Sequence, residues 1–167
     1  MTFFENLGKK IKAANGDTYA KGDLFEDHVL KMFPPEFFTI IEATHSTDDL
    51  NGRGTESCRN PDFHLRDKKT KTGFWVECKF RSSTFEDGSI QWCEPYQLKT
   101  YKKAGETTQE KVFVMIGIGG KPHDPEKIYL IDLNKTPYNK LFRSAYIRNE
   151  ILIPEFKSLE HLEKQIP

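Results

Sequence analysis

The stretch Asn60–Arg81, NPDFHLRDKKTKTGFWVECKFR, sets two short apolar-rich runs on either side of KKTK at 68–71. That arrangement predicts a β-hairpin. With a four-residue loop Asp67 faces Thr72, and counting back along both strands brings Asp62 opposite Glu77. Directly opposed residues of an antiparallel pair point to one face with Cβ atoms about 5 Å apart, so two carboxylates meet there. Like charges so close need a cation between them or a raised pKa. A divalent ion answers this most simply. Oxygen ligation of this kind suits Mg²⁺ or Mn²⁺, which keep waters and take few protein carboxylates. A register slip of one residue would send the two carboxylates to opposite faces.

Alternation along the second strand puts Trp75, Glu77 and Lys79 on one face and Phe74, Val76, Cys78 and Phe80 on the other. Lys79 therefore lies beside Glu77. An ammonium next to metal-bound carboxylates would orient a water nucleophile or offset charge building on a phosphate oxygen. The same Glu-x-Lys also describes a salt bridge on a solvated sheet face, and the spacing leaves both readings open.

Upstream of the hairpin, the Asn-Gly turn, the helical spacing of apolar residues and the Pro-Pro stop predict a helix from about Thr18 to Phe33. At ~100° per residue Glu26 falls inside the apolar arc of Gly22, Phe25, Val29, Leu30 and Phe33. A carboxylate there needs a metal, a backbone donor or an Arg, because an isolated buried charge is strongly disfavoured. Gly22 is expected to admit close approach by another segment. FFTIIEAT reads as a strand, and HSTDDLNGRGTESCRN as an exposed loop long enough to be functional or disordered. At the start, Phe3, Phe4, Leu7 and Ile11 predict a short amphipathic helix over 1–14.

Downstream, STFEDGSIQW reads as a loop. Pro95 opens a helix closed by Gly105. On it Gln97 and Tyr101, four apart, share a face with Ala104, with Leu98 nearby; Lys99, Lys102 and Lys103 lie opposite. KVFVMIGIGG predicts a central strand covered on both faces, EKIYLIDL a further strand, and 134–167 helix fragments. The expectation is one α/β domain over 1–167, a central mixed sheet flanked by helices, with its core at about 18–133.

Bulk composition restricts the function classes. The net charge is zero, so overall electrostatics do not mark a duplex-binding protein, although Arg53–Arg81 holds eight basic and four acidic residues. Cys58, Cys78 and Cys93 are odd in number and lack a CxxC pair, which argues against a disulfide framework and a zinc site. No leader or long uncharged apolar run is seen, so a cytoplasmic location is expected.

Taken together, GDLFE with Gly22 and Glu26, PD with Pro61 and Asp62, ECK with Glu77 and Lys79, and QLKTY with Gln97 and Tyr101 resemble the PD-(D/E)xK nuclease superfamily. The resemblance covers roughly residues 18–133. Its Gln-x-x-x-Tyr element is similar to the RecB-like branch, and the small size is like Holliday-junction resolvases and restriction endonucleases. It implies a restriction endonuclease-like αβββαβ core and a Mg²⁺-dependent nuclease that hydrolyses DNA phosphodiesters with metal-activated water. Asp62 and Glu77 would ligate Mg²⁺ (or Mn²⁺), with the carbonyl of Cys78 as a third ligand and Glu26 bound directly or through water. Lys79 would be the catalytic lysine, and Gln97 and Tyr101 would support the site. The cysteines do not match the iron–sulfur relatives of that branch, so no cluster is inferred. DNA is the partner implied, without a membrane, and a homodimer is left open.

Arg53, Arg59 and Arg81 are read as phosphate contacts, and Phe85 and Trp92 as rings that stack on unpaired bases. The alternative function is a noncatalytic DNA-binding or assembly subunit of the same fold. A third, a binding domain whose hairpin charges are only surface pairs, predicts Asp62 and Glu77 far apart.

Overall fold

In the computed structural model, which describes residues 18–44 and 60–167, helix α1 (Thr18–Lys31) leads into strands β1 (Phe38–Ala43), β2 (Phe63–Asp67) and β3 (Gly73–Arg81). A short β4 (Ile90–Gln91), helix α2 (Pro95–Thr108), and strands β5 (Lys111–Lys121) and β6 (Asp124–Asp132) follow. A short β7 (Lys140–Leu141), helix α3 (Arg143–Tyr146), a 3-10 turn (Ile147–Asn149) and helix α4 (Leu159–Glu163) complete the chain. The helix expected over 1–14, Cys58, and the loop carrying Arg53 and Arg59 lie outside the described residues.

Five strands form one mixed sheet in the order β1-β2-β3-β5-β6. The pairs β1–β2, β2–β3 and β5–β6 are antiparallel, whereas β3 and β5 run parallel. A parallel pair needs a crossover, and α2 supplies it. The order of elements is the expected αβββαβ, with helices flanking a central sheet.

The hairpin adopts the predicted register: Phe63 faces Val76, His64 faces Trp75, and Asp67 N donates to Thr72 O at 2.9 Å. Asp67 itself turns the chain. Its Oδ1 accepts the N–H groups of Lys69 (2.8 Å) and Thr70 (3.1 Å), an Asx-type turn. Its Oδ2 accepts Leu159 N at 2.7 Å and so ties the hairpin to the start of α4.

Two apolar layers sandwich the sheet. Phe63, Leu65, Phe74, Val76, Phe113 and Met115 face α1 (Phe25, Val29) and the C-terminal Phe156, Leu159 and Leu162. Trp75, Val112, Val114 and Ile116 face α2 (Tyr101, Ala104) and the β4–β7 ribbon. Strand β5 is thus buried on both faces, as its unbroken apolar run predicts. Helix α1 sits close because of Gly117, where a Cβ would lie 2.5 Å from the ring of Phe25. Gly22 has no such role, since nothing lies within 4 Å of its Cβ position.

Two boundaries differ from expectation. Helix α2 does not stop at Gly105 but runs to Thr108, capped by Gln109 in the left-handed region at φ 56. Gly105 serves packing instead: a Cβ there would meet Val112 Cγ2 at 2.9 Å and Glu110 O at 3.0 Å. The segment expected as a loop after β3 contains β4, which pairs with β7. Its periodicity is hidden because only two residues pair, and Arg81 holds it through the carbonyls of Gln91 (3.1 Å) and Trp92 (2.8 Å). Among the described residues no helix is long and apolar enough to cross a membrane.

Candidate active site

Glu77 does not sit on the solvated face that one reading of the hairpin expects. Its residue is 1% exposed, because the face it shares with Trp75 is covered by α2 rather than solvated. A buried carboxylate requires partners. Glu77 has three: Tyr101 Oη donates to Oε1 at 2.7 Å, Lys79 Nζ meets Oε1 at 2.6 Å, and Asp62 N donates to Oε2 at 3.2 Å. Asp62 and Glu77 therefore meet through the Asp62 N–H and a carboxylate oxygen of Glu77.

Asp62 lies one residue before β2, where regular pairing with β3 has ended. There its Oδ2 accepts the N–H of Cys78 at 2.7 Å. Its own carbonyl accepts Thr44 N at 2.8 Å, so the Pro61–Asp62 step is held from the β1 side as well. Cys78 is engaged through its backbone, and its side chain packs in the α1-side core. Burial, followed by Asp62 and Glu26, pushes that thiol well above its ordinary range, so it is inert as a nucleophile.

Glu26, half-buried on α1 in the opposite layer, is near enough for the charges of Glu77 and Lys79 to act on its carboxyl. Burial pushes it up to about 7, helped by the negative charges of Asp23 and Glu77. Asp62 is raised for the same reasons: burial first, then Glu77 and Glu26, against the opposing pull of Lys79 and the Cys78 N–H. For Lys79 burial alone would lower the ammonium, but Glu77 and Asp62 outweigh it and hold it above its usual value. Three carboxyl groups thus crowd around one ammonium, and the crowding favours protonation of Glu26 and Asp62 in the metal-free protein.

Tyr101 is buried against Trp92, ring centroids 6.0 Å apart. Burial and then the Glu77 charge hold its phenol far above its ordinary range, so it acts here only as a donor. Gln97 is used differently: its Oε1 accepts Glu94 N at 2.9 Å and fixes the start of α2. Arg81 spends its guanidinium on the carbonyls of Phe80, Gln91 and Trp92. It clamps the chain that follows the lysine strand. Trp92 is fully buried with Nε1 donating to Tyr138 O at 2.7 Å, so it is not the stacking surface expected of it. Phe85 is exposed. Asp23 escaped notice in the sequence, although its i,i+3 spacing to Glu26 marks a like-charge neighbour on the same helix.

No protein-family model matches the sequence. No curated protein matches it either. In structure the chain is similar to Hjc, a Holliday junction resolvase from the archaeal hyperthermophile Archaeoglobus fulgidus, with a TM-score of 0.52 and 14% sequence identity. The likeness covers 89% of this chain and 100% of that chain. At that identity what is shared is the fold: a central mixed sheet flanked by helices, of the resolvase and restriction endonuclease-like kind.

Proposed function

We propose that this chain is a divalent-metal-dependent nuclease of the PD-(D/E)xK type that hydrolyses phosphodiester bonds in DNA. The observation that carries the proposal is the meeting of half-buried Asp62 and Lys79 on the buried Glu77, with Glu26 of the opposite layer within range of their charges. Likeness in fold to a Holliday junction resolvase supports DNA as the substrate class.

The donor set fits a small divalent cation. Glu26, Asp62 and Glu77 crowd together, a cation would relieve their repulsion once they ionise, and an ionised carboxylate has about four lone-pair sites, more than the N–H and O–H groups here consume. Among the described residues no three His, Cys, Asp or Glu side chains already form a cage around one point. Mg²⁺ binds through one or two carboxylates and keeps several waters, so it would not need such a cage. Asp62 and Glu77 would hold the ion, with the Cys78 carbonyl as third ligand and Glu26 bound directly or through water. When bound, the ion would activate a water and neutralise charge on the phosphate.

The chain's own residues supply the rest. Lys79, held charged by its carboxylate neighbours, acts as a fixed cation toward the phosphate rather than as a proton acceptor. Tyr101 and the Asp62 N–H each hold one oxygen of Glu77, which sets the orientation of that carboxylate. A noncatalytic subunit of the same fold would have no need of Glu26, Asp62, Glu77 and Lys79 together.

The test is cleavage of linear, circular, single-stranded and branched DNA in Mg²⁺, Mn²⁺ or EDTA. Wild type should cut at least one form only with metal, and Asp62→Ala and Lys79→Ala should not. Metal-dependent cleavage that survives both substitutions overturns the assignment.

A further inference from the structure

Among the described residues the exposed aromatic side chains are Phe85, Tyr96, Tyr138 and Phe142, at 56%, 69%, 64% and 64% exposure. All four belong to the β4–β7 ribbon, its flanking turns, or the first turn of α2 that leaves it. Single exposed rings are ordinary, whereas a cluster marks an interaction surface. Two of the rings are organised around a cation: Lys140 Nζ lies 5.6 Å from the ring centroid of Phe85 and 6.0 Å from that of Phe142.

The ribbon is braced by the core. Trp92 N donates to Asn139 O at 3.0 Å, Trp92 Nε1 to Tyr138 O at 2.7 Å, and Tyr146 Oη to Gly88 O at 2.6 Å. It is also tied to the candidate active site. Arg81, two residues beyond Lys79 on β3, grips the carbonyls of Gln91 and Trp92. A cleft of about 180 Å³ runs between Arg81 and Phe85, and an open cleft of about 470 Å³ lies between Phe85 and Lys140.

We infer that Phe85, Lys140 and Phe142 form a stacking platform for the bases of a single-stranded DNA segment next to the Lys79 end of β3. The substrate chemistry rests on the nuclease proposal above. Stacking suits any base, since each has a π-face, and a cation beside the rings suits the backbone phosphates. A duplex keeps those base faces stacked inside. Glu86 and Asp87 also line the larger cleft, so Lys140 is the one basic group among its lining residues that can meet a phosphate.

Binding in EDTA, where nothing is cut, tests the platform: fluorescence anisotropy with labelled oligothymidine and with a blunt duplex of equal length. For Phe85→Ala/Phe142→Ala, oligothymidine affinity should fall about tenfold or more, since the bases lose both stacking partners. Duplex affinity should stay within about twofold of wild type. Lys140→Ala should flatten the slope of log affinity against log salt by about 0.7, the loss of one phosphate contact on a single strand. All three positions are exposed, so the variants should melt like wild type. Wild type that fails to bind oligothymidine, or a double variant that binds it unchanged, overturns the inference. A dimer in light scattering that the double variant dissolves would assign the patch to a second copy and overturn it too. The two proposals fail separately: binding by the platform with no cleavage of any DNA sinks only the nuclease, and cleavage with unchanged oligothymidine binding sinks only the platform.

Discussion

Tyr101 Oη and Lys79 Nζ meet the same oxygen of Glu77, at 2.7 and 2.6 Å. One buried carboxylate oxygen thus joins the helix after the crossover to the strand that carries the lysine. A hydrogen bond to a charged group contributes about 1.5–3 kcal/mol. Tyr101→Phe should therefore lower the unfolding free energy by about 2 kcal/mol in urea melts. It should reduce cleavage rate while leaving the KM for DNA near wild type. Unchanged stability and rate would mean that the phenol does not hold Glu77.

Lys79→Met removes the ammonium and leaves Glu77 buried without its cation, a change that costs about 3–5 kcal/mol. Adding Glu77→Gln to that variant should recover much of the lost stability, because the stranded charge is gone. Cleavage should stay absent in both. Thermal melts of the single and double variants measure the recovery, and a double variant less stable than the single one would contradict the pairing.

The raised carboxyls make the metal-free protein sensitive to pH. Glu26 is pushed up to about 7 by burial first, then by Asp23 and Glu77. A carboxyl raised in the folded state stabilises the fold while protonated. That contribution is complete below the ordinary value of 4.5 and is lost as pH rises to about 7. It amounts to something on the order of 3 kcal/mol. Asp62 acts in the same direction. In EDTA, Tm should fall between about pH 5 and pH 7.5, and Glu26→Gln should flatten the fall. Mg²⁺, which needs ionised ligands, should raise Tm most at the upper end. A Tm that climbs through this window without metal would contradict the burial assigned to Glu26.

Asp67 is the buried hub of the hairpin turn, accepting N–H groups from Lys69, Thr70 and Leu159. Asp67→Ala leaves all three donors without that acceptor, and the buried Leu159 N–H suffers most. The expected loss is about 2–4 kcal/mol, with faster hydrogen exchange in α4. Exchange that stays as slow as wild type in α4 would show that the C-terminal segment is held without Asp67.

Much of this was legible in the sequence because the hairpin is short and its turn chemistry is local. Asp67 and the residues after it set the loop length, and loop length set the register that brings Asp62 to Glu77. The helix of Glu26 was legible from its 3.6-residue period and its Pro-Pro end. What escaped was long-range. Gly105 carries the sign of a helix end, yet its reason is the approach of Val112 from β5. Trp92 resembles an exposed loop aromatic until β7 arrives to cover it from residues distant in sequence. Arg81 resembles a phosphate contact until β4 turns its carbonyls toward it.

Manganese binding by the DNA-free protein, followed by electron paramagnetic resonance, tests the metal centre without any choice of DNA substrate. Wild type should bind Mn²⁺, Mg²⁺ should displace it, and Asp62→Asn with Glu77→Gln should abolish binding while remaining folded. Undiminished Mn²⁺ binding in that folded double variant would contradict the assignment of Asp62 and Glu77 as the metal ligands.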